Sequence, residues 1–236
     1  MIELILEYWR PFIYSDGQQV TGLAMTLWLT SASLCLGLLL ALPLSIARVS
    51  SRRWLRWPVQ GFTYVFRGTP LYIQLLIFYT GIYSIAAVRE QPLLDGFFRE
   101  ALNCTLLAFA LNTGAYTTEI LAGAIRAMPR GEIEAARSLG FDGWKLYVHL
   151  IMPSALRRSL PYYSNEVIFM LHSTTLAFTA TVPDILKVAR DANAATFLTF
   201  QSFGFAAVLY LGVTFVLVGL FRLAERRWLR FLDAGR

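Results

Sequence analysis

The stretch Met128–Pro153, M-P-R-G-E-I-E-A-A-R-S-L-G-F-D-G-W-K-L-Y-V-H-L-I-M-P, is polar and lies between two long apolar segments. Its local grammar is that of two short helices joined by a turn. Pro129 suits a helix start, where a missing N–H does no harm. Glu132 and Glu134 then fall in the first turn and Arg137 in the last, as the helix dipole favours. Gly140 is placed to end that helix in a left-handed conformation. Asp142 can cap a second helix, which should stop near Pro153. Ala135 and Ala136 make a face of little bulk on which another protein could close.

The chain around this stretch is apolar. Of its 236 residues 56% are hydrophobic and 15% are charged, too apolar a balance for a soluble domain of this length. Apolar residues come in blocks long enough for a bilayer, which takes roughly 20 helical residues. Five such blocks are read, at about 20–47, 70–88, 101–124, 159–181 and 204–223, in a single domain spanning 1–236 without linkers or internal repeats. The expected fold is therefore an all-α polytopic membrane protein of five transmembrane helices.

Basic residues orient the spans. Arg48, Arg52, Arg53 and Arg56 follow the first. Arg126, Arg130, Arg137, Lys145, Arg157 and Arg158 fill the 125–158 loop, and Arg222, Arg226, Arg227, Arg230 and Arg236 the tail. The alternate segments hold few: Arg10, then Arg89 and Arg99, then Lys187 and Arg190. This reading puts the N-terminus outside, the C-terminus inside and the 125–158 loop in the cytoplasm. The net charge of +6 is then a topology signal and not a sign of nucleic acid. Residues 1–19 are expected on the outer surface, with Tyr8, Trp9, Phe12 and Tyr14 at the lipid interface. Glu3 and Glu7 stand where a cleaved signal would carry basic residues. Cys35 and Cys104 fall inside spans, with neither disulfide nor metal spacing. No phosphate-binding glycine loop with Lys and Ser/Thr, and no H-E-x-x-H pair, is present, so the chain is expected to be no enzyme and to bind no metal.

Glu134-Ala135-Ala136, Gly140 and Pro153 stand at the spacing E-A-A-x3-G-x9-I-x-L-P, with Leu150 and Met152 in the Ile and Leu places. That pattern resembles the loop by which permease subunits of ABC importers touch their ATPase subunits. Phe66–Leu75, F-R-G-T-P-L-Y-I-Q-L, resembles the signature of the polar amino acid subfamily, and puts Arg67, Gly68, Thr69 and Pro70 at a boundary kink. The runs Y-T-T-E-I at 116–120, S-N-E-V-I at 164–168, L-H-S-T at 171–174 and T-A-T-V-P-D at 179–184 extend the likeness to the M-type permeases of basic amino acid importers. The resemblance implies the type I ABC importer permease fold in a bacterial inner membrane and a homologous permease partner, a heterodimer being favoured. It implies two ATP-binding subunits carrying ATP and Mg, and a periplasmic amino-acid-binding protein. It also assigns ATPase coupling to Glu134, Ala135, Ala136 and Gly140.

Ionisable groups inside spans are costly and mark function. Glu119 and Glu166 both fall in the inner half of the bilayer, so they could line one cavity and attract a guanidinium, ammonium or imidazolium group. Where the wider subfamily often has Arg-Gly and Lys, this chain has Ala122-Gly123 and His172, which removes positive charge from the expected path. Glu119, Asn165, Glu166, His172 and Ser173 are the candidates for the substrate path, with Tyr162, Glu166 and Ser173 on one helical stripe. Other roles are open: Glu119 could pair with Arg126, and Glu166 could serve packing between subunits. A permease for opines or neutral polar amino acids, a membrane enzyme and an ion channel are the competing functions.

Overall fold

The computed structural model describes residues 2–229 and is helical throughout. Helix α1 (Ile2–Ile13) leads through a short turn to the long α2 (Gly22–Val49). Then come α3 (Arg53–Gly68), α4 (Leu71–Leu76), α5 (Ala86–Arg89) and α6 (Pro92–Phe98). The central α7 (Ala101–Arg126) is followed by α8 (Arg130–Ser138), α9 (Gly143–Leu146), α10 (Met152–Ser173), α11 (Ile185–Thr196) and α12 (Thr199–Trp228). Arg230 and Arg236 of the basic tail, and the side chain of Glu3, lie outside what is described.

Among the described residues two helices, α2 and α12, are long and apolar enough to cross a membrane. The other three apolar blocks form helices of a different kind. α7 runs 26 residues, but Asn103, Asn112, Glu119 and its threonines dilute its apolar character. The reason is position: α2, α3, α4 and α10 pack around α7, so its polar side chains meet protein. The 70–88 block is not one helix. Its apolar helical run is Leu71–Ser84, where α4 passes into a π turn at Ile77–Gly81 and a 3-10 turn at Ile82–Ser84. The 159–181 block starts earlier, at Met152, and changes to 3-10 helix over Thr174–Ala180.

α2 crosses α7 closely at Gly37 and Gly114. A Cβ on Gly37 would lie 2.4 Å from Thr113 Cγ2 and 3.0 Å from Gly114 N. Small residues let two backbones approach this closely, the usual device of helix pairs in lipid. Leu29, Leu75, Phe109 and Met170 fill the core on one side of this crossing.

α1 is tied in more firmly than an outer-surface segment would be. Trp9 and Tyr14 are exposed and meet edge to face at 6.0 Å. Phe12 is fully buried instead of interfacial: it packs edge-on against Phe205 at 4.8 Å, among Ile185, Val188 and Ala189. Gly22 makes this possible. Its φ is +57°, and a Cβ there would lie 2.1 Å from the Phe12 carbonyl oxygen. Asp16 turns the intervening loop by accepting from the N–H groups of Gln18 and Gln19, both at 2.9 Å. These two bonds hold its carboxyl below the ordinary range.

Candidate functional site

The 128–153 stretch folds as a small unit with its own apolar centre of Met128, Leu146 and Ile151, flanked by Ile133, Ala136, Phe141 and Tyr147. Pro129 stands at the N-cap of α8, and Glu132 is the acid of its first turn; Glu134, expected there too, falls two residues later, just past it. Gly140 has φ +82°. The N–H groups of Gly140 and Phe141 reach back to the carbonyls of Arg137 and Ala136 at 2.9 and 3.0 Å, so the helix ends in a left-handed residue as expected. Glu134 and Ala135 are exposed, whereas Ala136 turns toward the apolar centre. Leu139, 78% exposed, completes the outward face.

Two further local expectations for this stretch fail. Asp142 occupies the N-cap of α9, but its side chain makes no capping hydrogen bond. The second helix does not stop at Pro153. It passes through a π turn at Tyr147–Ile151 into α10, where Pro153 falls in the first turn and its missing N–H is harmless.

Next to this unit lies a cavity of about 450 Å³, lined in part by Arg67, Tyr116, Glu119, Gly123, Arg158 and Tyr162. Glu119 Oε1 accepts from Arg48 Nε at 2.5 Å and from the Thr63 hydroxyl at 2.8 Å. One carboxylate therefore ties α2, α3 and α7 together, and its partner is Arg48, not Arg126. The Arg67 guanidinium lies over the Tyr116 ring, 5.2 Å from its centroid, and faces the cavity. Arg158 Nη2 donates to Glu132 Oε1 at 2.8 Å, which links the cavity wall to α8.

Glu166 is buried, and its Oε1 accepts from the Thr113 hydroxyl at 2.7 Å. It is not among the residues that line the cavity, so the structure places Glu119 there without Glu166. The expected stripe on α10 divides as well. Glu166 and Ser173 point into the protein, and the Ser173 hydroxyl returns to the Phe169 carbonyl at 2.8 Å. Tyr162, Asn165, Phe169 and His172 are exposed. His172 Nε2 meets Thr214 Oγ1 on α12 at 3.2 Å, while the Thr214 hydroxyl donates to the Tyr210 carbonyl at 2.8 Å. A hydroxyl has one proton to give, so Nε2 is the donor of that pair.

The F-R-G-T-P segment behaves as its proline requires. α3 ends at Gly68, Thr69 is extended with φ −113° and ψ 143°, and Pro70 caps α4. What holds this break was not anticipated. Gln74 Nε2 donates to the Phe66 carbonyl and the Thr69 hydroxyl, each at 2.8 Å. Asn112 Nδ2 donates to the same Phe66 carbonyl at 2.9 Å and to Gln74 Oε1 at 3.1 Å. Gln74 and Asn112, both buried, satisfy the open carbonyl end of α3 and so set where Arg67 stands. A buried amide inside an apolar run is the one signal that could have pointed to them.

The helices, the polar break and the protruding loop unit define a membrane transport subunit. Residues 33–230 match the family of binding-protein-dependent transport system inner membrane components. The chain belongs to that family, that of the inner membrane permeases of ABC importers. It is 59% identical over 234 residues to the histidine/lysine/arginine/ornithine transport system permease protein HisM of Salmonella typhimurium, covering 99% of this chain and 100% of that one. The Escherichia coli K12 protein of the same name is 60% identical over 230 residues, covering 98% and 97%. The octopine transport system permease protein OccM of Rhizobium meliloti is 40% identical over 217 residues, covering 92% and 86%. Among solved structures, that of an amino acid ABC transporter with histidines superposes with a TM-score of 0.79 at 30% identity, covering 94% and 96%. The methionine transporter MetNI shares the fold, with a TM-score of 0.70 at 15% identity, covering 86% and 92%.

Proposed function

We propose that the chain is the permease subunit of an ATP-driven, binding-protein-dependent importer of basic amino acids of the histidine, lysine, arginine and ornithine class. The observation that carries this is end-to-end identity of about 60% with permeases named for that class. In this reading five segments span the membrane: α2, the helical run from Leu71, α7, α10 with its 3-10 extension, and α12. The clustering of Arg and Lys in the 48–56, 125–158 and tail segments supports an outer N-terminus and an inner C-terminus.

The subunit pairs with a homologous permease, and two ATP-binding subunits, which carry ATP and Mg, sit beneath the pair. A periplasmic binding protein delivers the amino acid. α8, with Glu134, Ala135, Ala136 and Gly140, docks on an ATPase subunit and moves as that subunit closes on ATP. The exposed stripe of Asn165 and His172, the acids Glu119 and Glu166, and Ser173 belong to the path. Arg67, Gly68, Thr69 and Pro70 form its boundary. The cavity chemistry fits an amino acid zwitterion with a cationic side chain: Arg67 and Arg158 suit its carboxylate, and Glu119 its side chain. Glu119 in the cavity is already paired with Arg48, and Glu166, held on Thr113 outside the cavity lining, is the second acid offered to the passing cation.

ATP-dependent arginine uptake into proteoliposomes holding the complete transporter and its binding protein tests this. With Glu166→Gln, loss of uptake with retained binding-protein-stimulated ATP hydrolysis supports a place in the path. A joint loss in an assembled complex reassigns Glu166 to coupling. A wild-type complex that moves no cationic amino acid, or that takes up octopine in preference, overturns the substrate assignment.

A further inference from the structure

We infer that the groove between the basic end of α2 and the start of α10 is a binding site for an anionic phospholipid, one acyl chain lying in the groove and the phosphate at its basic mouth. The groove has a volume of about 580 Å³, with Pro43 and Ile46 on one wall and Val148 and Leu156 on the other. Trp144 and Tyr147 also line it. Through Pro43, Ile46 and Tyr147 it continues into a second depression of about 530 Å³ that reaches Ser50, Ser51 and Leu55 at the α2–α3 turn. Each wall carries a helix-perturbing feature where it lines the groove. Pro43 lies inside α2, where a proline removes a backbone bond and bends the helix. Opposite it runs the π turn Tyr147–Ile151, a local widening that often marks functional sites.

The surroundings of the mouth choose the occupant. Arg52 and Arg56 are the chain neighbours of Ser51 and Leu55 in the second depression, and Lys145 and Arg157 those of Trp144 and Leu156 in the groove. Three of these four are exposed and Arg56 is partly so, and none makes an ion pair among the described residues. Trp54 and Trp57 of α3 are 69% and 63% exposed next to them. An apolar slot, exposed cations without an ion pair among the described residues and exposed tryptophans, with Arg52, Trp54, Arg56 and Trp57 just past the end of a helix apolar enough to span, match the chemistry of a bilayer surface. A protein partner would have to bury those cations against acids of its own. A lipid phosphate meets them in place.

The test uses the assembled transporter, purified from bilayers of about 70% phosphatidylethanolamine and about 30% phosphatidylglycerol, with retained lipids read by native mass spectrometry. Phosphatidylglycerol should be enriched over its bulk share. Arg52→Gln, Arg56→Gln and Lys145→Gln should each lower that enrichment by about fivefold. Val148→Trp, which fills the slot, should lower retention of both lipids. Retention at the bulk ratio overturns the site, as does enrichment that survives both the charge variants and the filled groove. So does a cross-link from Val148→Cys to a partner subunit, which would show the groove covered by protein. Should Val148→Trp fail to assemble, the exposed charge variants still decide.

Discussion

Glu132 on α8 and Arg158 on α10 are joined by a 2.8 Å ion pair, and Arg158 is at the same time part of the cavity wall. The loop unit and the cavity thus share a charged link. If α8 moves with an ATPase subunit, this pair is a direct way for that motion to reach the α10 wall.

The first prediction concerns coupling and not stability. With the Glu132 side chain 40% exposed and Arg158 16%, the pair contributes no more than about 1 kcal/mol to folding. Glu132→Gln should therefore leave the melting temperature of the complex nearly unchanged. Amino acid moved per ATP hydrolysed should fall several-fold, and exchanging the two charges, Glu132→Arg with Arg158→Glu, should restore part of it. An unchanged transport-to-hydrolysis ratio in Glu132→Gln would remove the pair from the coupling route.

A second prediction follows from the Glu119–Arg48 clamp. Both side chains are mostly buried, at 16% and 17% exposure, and Thr63 adds a hydrogen bond. Removing one partner leaves the other charge poorly solvated, which costs about 3–5 kcal/mol for fully buried pairs. Here residual exposure should reduce that to about 2 kcal/mol. Glu119→Gln should lower the thermal midpoint of the complex, and adding Arg48→Leu should recover part of the loss. Additive losses in the double variant would show that the two groups do not act as a pair.

The contrast between these sites shows what a sequence reader could and could not find. The ending of α8 at Gly140 and the break before Pro70 obey rules that act within a few residues, and both were legible. The Arg48–Glu119 pair spans 71 positions, so reading the sequence offered a local candidate, Arg126, in its place. Phe12 belonged by pattern to an interfacial row with Trp9 and Tyr14. Only the docking of α1 over α11 and α12 buries it. The π turns at Ile77 and Tyr147 carry no composition of their own, and for that reason a hydropathy reading drew 70–88 as one uninterrupted span. Gln74 and Asn112 were hidden for a related reason: a hydropathy average smooths over one amide, though each amide satisfies a helix end.

A third prediction tests the seat of α1. Gly22 combines φ +57° with a position where a Cβ would lie 2.1 Å from the Phe12 carbonyl oxygen. The left-handed conformation alone costs an L-residue about 1–2 kcal/mol, and the backbone contact cannot be relieved by a rotamer change. Gly22→Ala should displace α1 and expose Phe12, seen as faster proteolysis of the N-terminal segment and a lower midpoint. Gly17 also has positive φ, +97°, but open space around it, so Gly17→Ala should show only the conformational cost. Equal effects of the two substitutions would argue against the packing role of Gly22.

The last prediction is a pH dependence at Asp184, which caps α11. Its carboxylate accepts from the N–H groups of Lys187 and Leu186 at 2.9 and 3.2 Å, and from the Tyr210 hydroxyl at 3.2 Å. The Lys187 ammonium is turned away to Asp191. With no cation against it, burial outweighs these three bonds and pushes the Asp184 carboxyl up from 3.8 to about 7. A raised acid pKa means that the folded state binds the proton more tightly than the unfolded chain. Its contribution to stability is thus greatest below about pH 4, falls as pH rises toward 7, and is flat above. At about 1.4 kcal/mol per unit, the fall amounts to a few kcal/mol. Asp184→Asn keeps a good cap and removes the titration. Melting curves of the complex between pH 5 and about 8 should therefore show the variant gaining on wild type as pH rises. Parallel curves would mean that Asp184 is ionised throughout that interval and that its three donors overcome burial.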